Sequence, residues 1–386
     1  MLSHLTTWPL FALPFLPFYI AWHLPFPFIS GRTLLFRLLV EVAFFAWVGL
    51  TLSGKGHVHR LNTPITFAVA LFLLTVGIAN TLGVSPSRSF LGNYERLEGY
   101  ILLLHCSALF VILTTVVTVT QWRVYVALFV LSGILASLSA FLPIWPGGGL
   151  RSGAVFGNPT FLAVYCLLTG GLAVLLSVQE QARWKRMYYW VVAGGQLVMI
   201  GFIGTRGVWI GLAAGGIAAL CIAAFRARAM TILGGQLASL IVAGFLIAPT
   251  VPILIRTDPS AGARVSVWRS SLRGLADRPL LGWGQENTAL VLRTYGNPRP
   301  FADRPYDRAH NILLDWGLSA GLLGVLAYLS LFGCAFSALW KRGGRASVVI
   351  ASLLVAYFVQ NMFAFDTLMS YVLFFSLLGY SGRQPI

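Results

Sequence analysis

PTFLAVYCLLTGGLAVLLSV, residues 159–178, decides the architecture. It carries no charge over about 20 positions, the length a helix needs to cross the hydrocarbon core of a bilayer. Its apolar residues are continuous and do not alternate, which argues against a strand of a membrane barrel. Similar runs recur on both sides. Window length and interruption predict about twelve spans, near 7–28, 33–53, 63–83, 98–119, 123–145, 159–178, 187–204, 208–225, 230–254, 310–339, 346–363 and 366–381. The expected fold class is therefore all-α, a polytopic integral membrane protein forming a single transmembrane domain over 1–386. The first run, from Trp8 to about Phe28, lacks a basic leader and a small-residue cleavage site, so it reads as a Pro-rich span and not as a removable signal peptide.

Composition agrees. Of 386 residues, 58% are hydrophobic and only 10% charged, far less charge than a soluble domain of this size carries. The net charge of +16 does not indicate nucleic acid, because the basic residues punctuate the apolar runs and do not cluster on a soluble domain. Arg183–Arg186, Arg226–Arg228 and Lys341–Arg345 are short basic loops that should face the cytoplasm. Counting spans from them puts both termini in the cytoplasm. The four cysteines each sit in an apolar run and read as small packing residues.

The same count places a long loop, 256–309, between spans 9 and 10 on the outer face. It holds nine arginines and no lysine. Long loops translocate largely regardless of charge, which is the plain explanation. The chemical one is an anionic ligand, since guanidinium offers a planar fork that matches phosphate. Within the loop, Val265, Trp268 and Leu272 fall at helical spacing, as do Arg269 and Arg273, suggesting a short amphipathic helix at the interface with Trp268 as its anchor. DRPLLGWGQEN, 277–287, is an irregular turn whose N–H groups could face an anion, although the motif is weak. His310, in Asp307-Arg308-Ala309-His310-Asn311, is the loop's one histidine, placed at the start of a span. Such a residue is most often a hydrogen-bonded structural group. Neighbouring arginines would keep its imidazole neutral and so suited to act as a base.

Other candidates share that face. Arg206 sits in Thr205-Arg206-Gly207 with almost no loop around it, and an arginine there must snorkel or meet an anion. Arg151 precedes a Gly-rich bend, Arg96 lies in SFLGNYERLEGY, and Asp366 marks the last outer corner as an orienting group or a helix cap. Arg37 and Glu41, four apart, are expected to pair on one helix face. No phosphate-binding glycine loop and no metal-ligand spacing occurs, so no cofactor and no metal is expected. Acidic residues are scarce in the spans, which disfavours an ion-coupled transporter.

Taken together, RSGAVFGNPTFLAVY (151–165), GTRGVWIGL (204–212), RVSVWRSSLRGLADRPLLGWGQEN (264–287), DRAHNILLDWGLSAGLLG (307–324) and FVQNMFAFDTLMSYVLFF (358–375) resemble the O-antigen ligase family of bacterial membrane enzymes. ISGRTLLFRLLVE and SFLGNYERLEGY fit the same resemblance. It implies a fold like the GT-C membrane glycosyltransferases, in the bacterial inner membrane, with 256–309 as a periplasmic catalytic loop. It also implies an inverting, metal-independent transfer of a glycan from an undecaprenyl-pyrophosphate donor to a hydroxyl acceptor. His310 would be the base. Arg206, Arg264 and, as a weaker match, Arg151 would bind pyrophosphate. Asp366, Arg269 and Arg96 are possible supports. The acceptor is a lipid A-core sugar, a polysaccharide or a protein. Three readings therefore stay open beside the ligase: a polysaccharide polymerase, a protein O-oligosaccharyltransferase on the same scaffold, and a non-enzymatic transporter of lipid-linked glycan. Relatives of this style can carry a C-terminal tetratricopeptide extension, which has no counterpart in these residues.

Overall fold

The structure, a computed structural model, describes residues 2–54, 61–145, 153–226, 259–296 and 306–383. Arg151, the predicted span at 230–254 and parts of the long loop lie outside the described residues. Among the described residues there are fourteen α-helices and no strand. They are α1 (Leu2–Ala12), α2 (Ser30–Leu52), α3 (Pro64–Thr81), α4 (Pro86–Leu91), α5 (Tyr100–Thr115), α6 (Val119–Ser139), α7 (Pro159–Gln179), α8 (Arg183–Ile203), α9 (Arg206–Arg226), α10 (Pro259–Asp277), α11 (Thr288–Tyr295), α12 (Ile312–Arg342), α13 (Gly344–Asn361) and α14 (Leu368–Gly382). Seven are long and apolar enough to cross a membrane, and α5 and α14 are shorter apolar helices. The protein is an all-helical, multi-pass membrane protein.

Helix α7, the run read first, lies at the heart of the bundle: 78% of its most apolar window is buried. It starts with Asn158 as cap, whose Oδ1 accepts from Thr160 N at 2.8 Å, and with Pro159, whose missing N–H costs nothing in a first turn. The predicted span at 7–28 is not one helix. Proline at 14 and 17 cannot supply the donors an α-helix needs, so α1 passes into a 3-10 turn, Leu13–Phe18, and the chain bends. Arg32, buried in the first turn of α2, fastens this bend by donating to the carbonyls of Pro17, Tyr19 and Val155. Arg37 donates to the Leu97 carbonyl and Glu41 meets His105 Nε2 at 2.9 Å, so the expected Arg37–Glu41 pair gives way to longer-range partners.

Helix α9 packs on α13 through glycines four apart. A Cβ at Gly211 would lie 2.6 Å from the Ala356 carbonyl oxygen, and one at Gly215 would lie 2.8 Å from that of Ser352. Only glycine allows that approach, which substitutes close packing for a hydrophobic drive that a bilayer does not provide.

The helix expected at 310–339 is broken. Ala320 and Gly321 leave helical geometry, Gly321 at φ +66 and ψ −165, a region open only to glycine. The turn after α10 fills the break. Trp283 N donates to Leu318 O at 2.6 Å, Gly284 N to Ser319 O at 3.0 Å, and Leu322 N to Pro279 O at 2.7 Å. The 277–287 turn therefore uses these N–H groups to satisfy a broken helix, which corrects their reading as an anion nest. Its far side is tied to the bundle: Asn80 and Gln285 exchange two bonds of 2.8 Å, and Asn287 Nδ2 reaches Ser89 Oγ at 3.0 Å. Backbone that breaks helical pairing at membrane depth must find partners inside the protein, and here it does.

Candidate active site

The five residues Asp307 to Asn311 are held one by one. Asp307 Oδ2 accepts from Arg96 Nε at 2.9 Å. Arg308 is buried and donates through Nη2 to Glu98 Oε2 at 2.9 Å and Glu286 Oε1 at 2.6 Å. The Ala309 N–H reaches Asp315 Oδ1 at 2.7 Å, and its carbonyl accepts from Trp268 Nε1 at 3.0 Å. Asn311 caps α12, its Oδ1 accepting from Leu313 N at 3.1 Å and Leu314 N at 3.2 Å. Its amide also donates to the Met362 carbonyl, tying the segment to the α13–α14 corner.

Between these anchors His310 is held at φ +54, a left-handed conformation uncommon for a residue with a side chain. Its Nδ1 lies 3.1 Å from the Arg308 carbonyl oxygen. A carbonyl can only accept, so Nδ1 carries the hydrogen and Nε2 keeps the lone pair. Tyr306 and Phe365 present ring edges or faces at 5.2 Å and 5.0 Å, nearly perpendicular to the imidazole, and restrict its rotation. Burial lowers the affinity of the ring for a second proton, the Arg308 carbonyl opposes this, and the positive charge of Arg264 adds to the lowering. The net shift is downward, so the imidazole is neutral at pH 7.

His310 and Arg264 line one cavity of about 440 Å³ together with Arg96, Asp307, Asn158 and Thr160. Aromatic and apolar groups, among them Phe28, Phe161 and Phe365, complete its wall. Polar groups thus converge in a concave, partly apolar site. Arg96 is compensated by Asp307 at 2.9 Å and faces the Phe365 ring at 4.7 Å. Burial would raise the Asp307 carboxyl, but Arg96 and Arg308 together hold it below the usual range.

The other sequence candidates sit elsewhere. Arg206 is exposed at the first turn of α9 and is not among the lining residues. The next residue, Gly207, stands against Phe363 of the wall, where a Cβ would lie 3.2 Å from Phe363 Cβ. Arg269 is exposed on α10, away from the cavity lining. Asp366 is buried behind the wall and accepts from Tyr357, from Asn361 at 2.9 Å and from Ser370 at 3.0 Å. Burial raises its carboxyl above the ordinary value despite those donors.

Helix α10 forms where helical spacing predicted it, but with a different face inward. Val267 is fully buried while Leu272 is 56% exposed. Trp268 turns toward the His310 segment as a positioning group, in place of the interface anchor expected of it. Trp268→Phe keeps the ring and removes the donor, leaving the Ala309 carbonyl unsatisfied. It should cost about 1–3 kcal/mol in a thermal or denaturant unfolding series. An unchanged midpoint would show that this bond does not hold the segment.

Reading residue types alone missed the buried triad of Glu98, Arg308 and Glu286. A signal existed: the chain has only eleven acidic residues, and an acid in apolar surroundings needs a partner. Burial pushes Glu98 up to about 7, against the pull of Arg308 and Arg96. Burial alone would depress Arg308, but Glu286 and Glu98 hold it well above its ordinary value.

The fold and cavity define a class: a multi-pass helical membrane protein with a preorganised histidine and arginine site at one end of its bundle. Residues 191–329 match the family model described as O-Antigen ligase. An O-antigen ligase of Pseudomonas aeruginosa is 28% identical over 159 residues, covering 41% of this chain. The chain spans 36% of the length of that curated relative. Both findings are of similarity to O-antigen ligases over part of this chain. The matched region contains Arg206, Arg264, Glu286, Arg308 and His310.

Proposed function

We propose that this protein is a membrane glycosyltransferase, O-antigen ligase-like, that moves a glycan from a polyprenyl-diphosphate donor to an acceptor hydroxyl. The observation that carries the reading is His310, its Nε2 left basic, lining the same cavity as Arg264. The acceptor hydroxyl would give its proton to His310 Nε2 as its oxygen bonds to the anomeric carbon. The bond from that carbon to the diphosphate oxygen breaks, and the diphosphate leaves with the electron pair. A single displacement inverts the anomeric configuration. Arg264 in the cavity and Arg206 beside its wall would stabilise the charge that develops on the leaving group.

Incubation of the purified protein with a lipid-linked glycan and candidate acceptors tests this. Release of polyprenyl diphosphate supports transfer. Translocation of intact donor without release would mean a transporter and end the proposal. Lipid A-core, polysaccharide and protein acceptors, offered in parallel, separate ligase from polymerase and protein transferase.

Arg264→Lys keeps the charge and loses the fork. We expect kcat/KM to fall about tenfold or more, since a charge-assisted bidentate contact contributes more than a point charge. A normal rate in Arg264→Lys would remove bidentate recognition from the mechanism. The pH profile offers a separate check. A base works deprotonated, and a lowered pKa moves the acid limb downward. Activity should therefore stay flat from neutral pH to below about 6.5, the ordinary imidazole value, and fall only beyond it. An acid limb above that value would contradict the buried, arginine-flanked imidazole.

A further inference from the structure

A second charged cavity lies at the other end of the bundle. It measures about 320 Å³ and is lined by Arg123, Arg342 and Arg383 with Trp122, Tyr380 and Gln179. The active-site cavity is lined by the first residues of α7, Asn158 to Phe161, and this one by its last turns, Leu175 to Gln179. Helix α7 has 21 residues, so the two sites stand about 30 Å apart, the thickness of the hydrocarbon core. The second cavity is thus at the headgroup level of the opposite leaflet.

Its charges are unequally balanced. Arg123 pairs with Glu180 at 2.9 Å, half exposed. Arg342 donates only to carbonyls, to Tyr380 O at 3.0 Å, Ser381 O at 3.1 Å and Arg383 O, and its guanidinium lies 5.4 Å from the Tyr380 ring centre. No carboxylate among the described residues pairs with Arg342 or Arg383. Arg383 Nη2 is buried and has no hydrogen-bond partner among the described residues. Gln179 Nε2 binds the Tyr380 hydroxyl at 3.0 Å and fixes the aromatic wall. A buried guanidinium N–H without an acceptor is costly, and an anion would relieve it.

We infer that this cavity binds the phosphodiester headgroup of an anionic glycerophospholipid, with Arg383 and Arg342 gripping the phosphate and the apolar rim, Val119, Val126 and Leu176, meeting the acyl chains. The site lies on the leaflet away from the proposed transfer and stands whether or not that reaction is correct.

The test uses the full chain in detergent, titrated with phosphatidylglycerol, with phosphatidylcholine of the same acyl chains, and with inorganic phosphate. Binding is read by native mass spectrometry and by the thermal unfolding midpoint. Phosphatidylglycerol should bind preferentially and raise the midpoint. Arg383→Gln should weaken it about fivefold, the share of one arginine near a lipid surface, while Arg383→Lys keeps most of the affinity. Arg123→Gln, on a half-exposed residue, is the second variant should Arg383→Gln fail to fold; it removes a positive charge from the lining and leaves Glu180 unpaired, and so should also weaken the lipid. Equal binding of phosphatidylcholine, or unchanged affinity in the glutamine variants, would overturn the site. Inorganic phosphate binding as tightly as the lipid would overturn the lipid assignment and leave a site for free anions.

Discussion

His310→Ala should lower glycan transfer by a factor on the order of 10²–10⁴ while the protein still inserts and elutes as a single species. The expectation rests on the proposed role of Nε2 as proton acceptor, His310 being the imidazole among the residues that line the cavity. Arg264 and Arg96 cannot accept a proton, and of the two carboxylates in the lining Asp307 is tied to Arg96 at 2.9 Å and Glu95 lies 3.7 Å from the same guanidinium. Alanine also lacks the local hydrogen bond that helps histidine hold φ +54, which adds a conformational cost to the loss of the base. His310→Asn separates the causes, because asparagine tolerates the left-handed region and supplies no base. Both variants should be inactive, and the asparagine variant should unfold at nearly the wild-type midpoint. Wild-type turnover in either would remove His310 from the chemistry.

The largest effect on stability is expected from Arg308→Met. Its guanidinium is the shared partner of two carboxylates that are 3% and 5% exposed. Removing it strands both acids in a low-dielectric interior, at about 3–5 kcal/mol. The thermal midpoint should drop sharply, and the His310 segment, whose Nδ1 bond ends on the Arg308 carbonyl, should lose its geometry with it. Neutralising the whole group, Arg308→Met with Glu98→Gln and Glu286→Gln, should recover most of the stability, because no uncompensated charge remains. If the single variant melted like the wild type, the triad would not be holding the site.

That triad also shows where sequence reading stops. Glu98, Glu286 and Arg308 lie in three of the motifs that carry the family resemblance, yet their separations of 188 and 22 positions convey nothing about contact. Trp268 is a similar case. Helical spacing placed it correctly on an amphipathic helix, but the partner of its N–H, the carbonyl before His310, comes from a segment 41 residues away. The turn at 277–287 was legible as irregular from Pro279, Gly282 and Gly284. Its docking into the break at Gly321 was not, because a glycine inside a 31-residue helix reads equally well as a packing contact.

Local rules acted strongly where the solvent itself imposed them. A bilayer requires about 20 apolar residues per helix and satisfied backbone groups throughout, so length and composition alone determined the all-helical, multi-pass class. Pro279, Gly282 and Gly284 marked one irregular turn in the same way, whereas the bend at Pro14 and Pro17 and the break at Gly321 lay inside stretches read as continuous spans. The grouping of His310 with Arg264 and Arg96, the exclusion of Asp366 and Arg269 from the cavity lining, and the proton position on the imidazole were decided only by tertiary packing. The physical reason is range. Hydropathy and backbone geometry act within a few residues, whereas a buried charge accepts whichever partner the packed helices bring within about 3 Å.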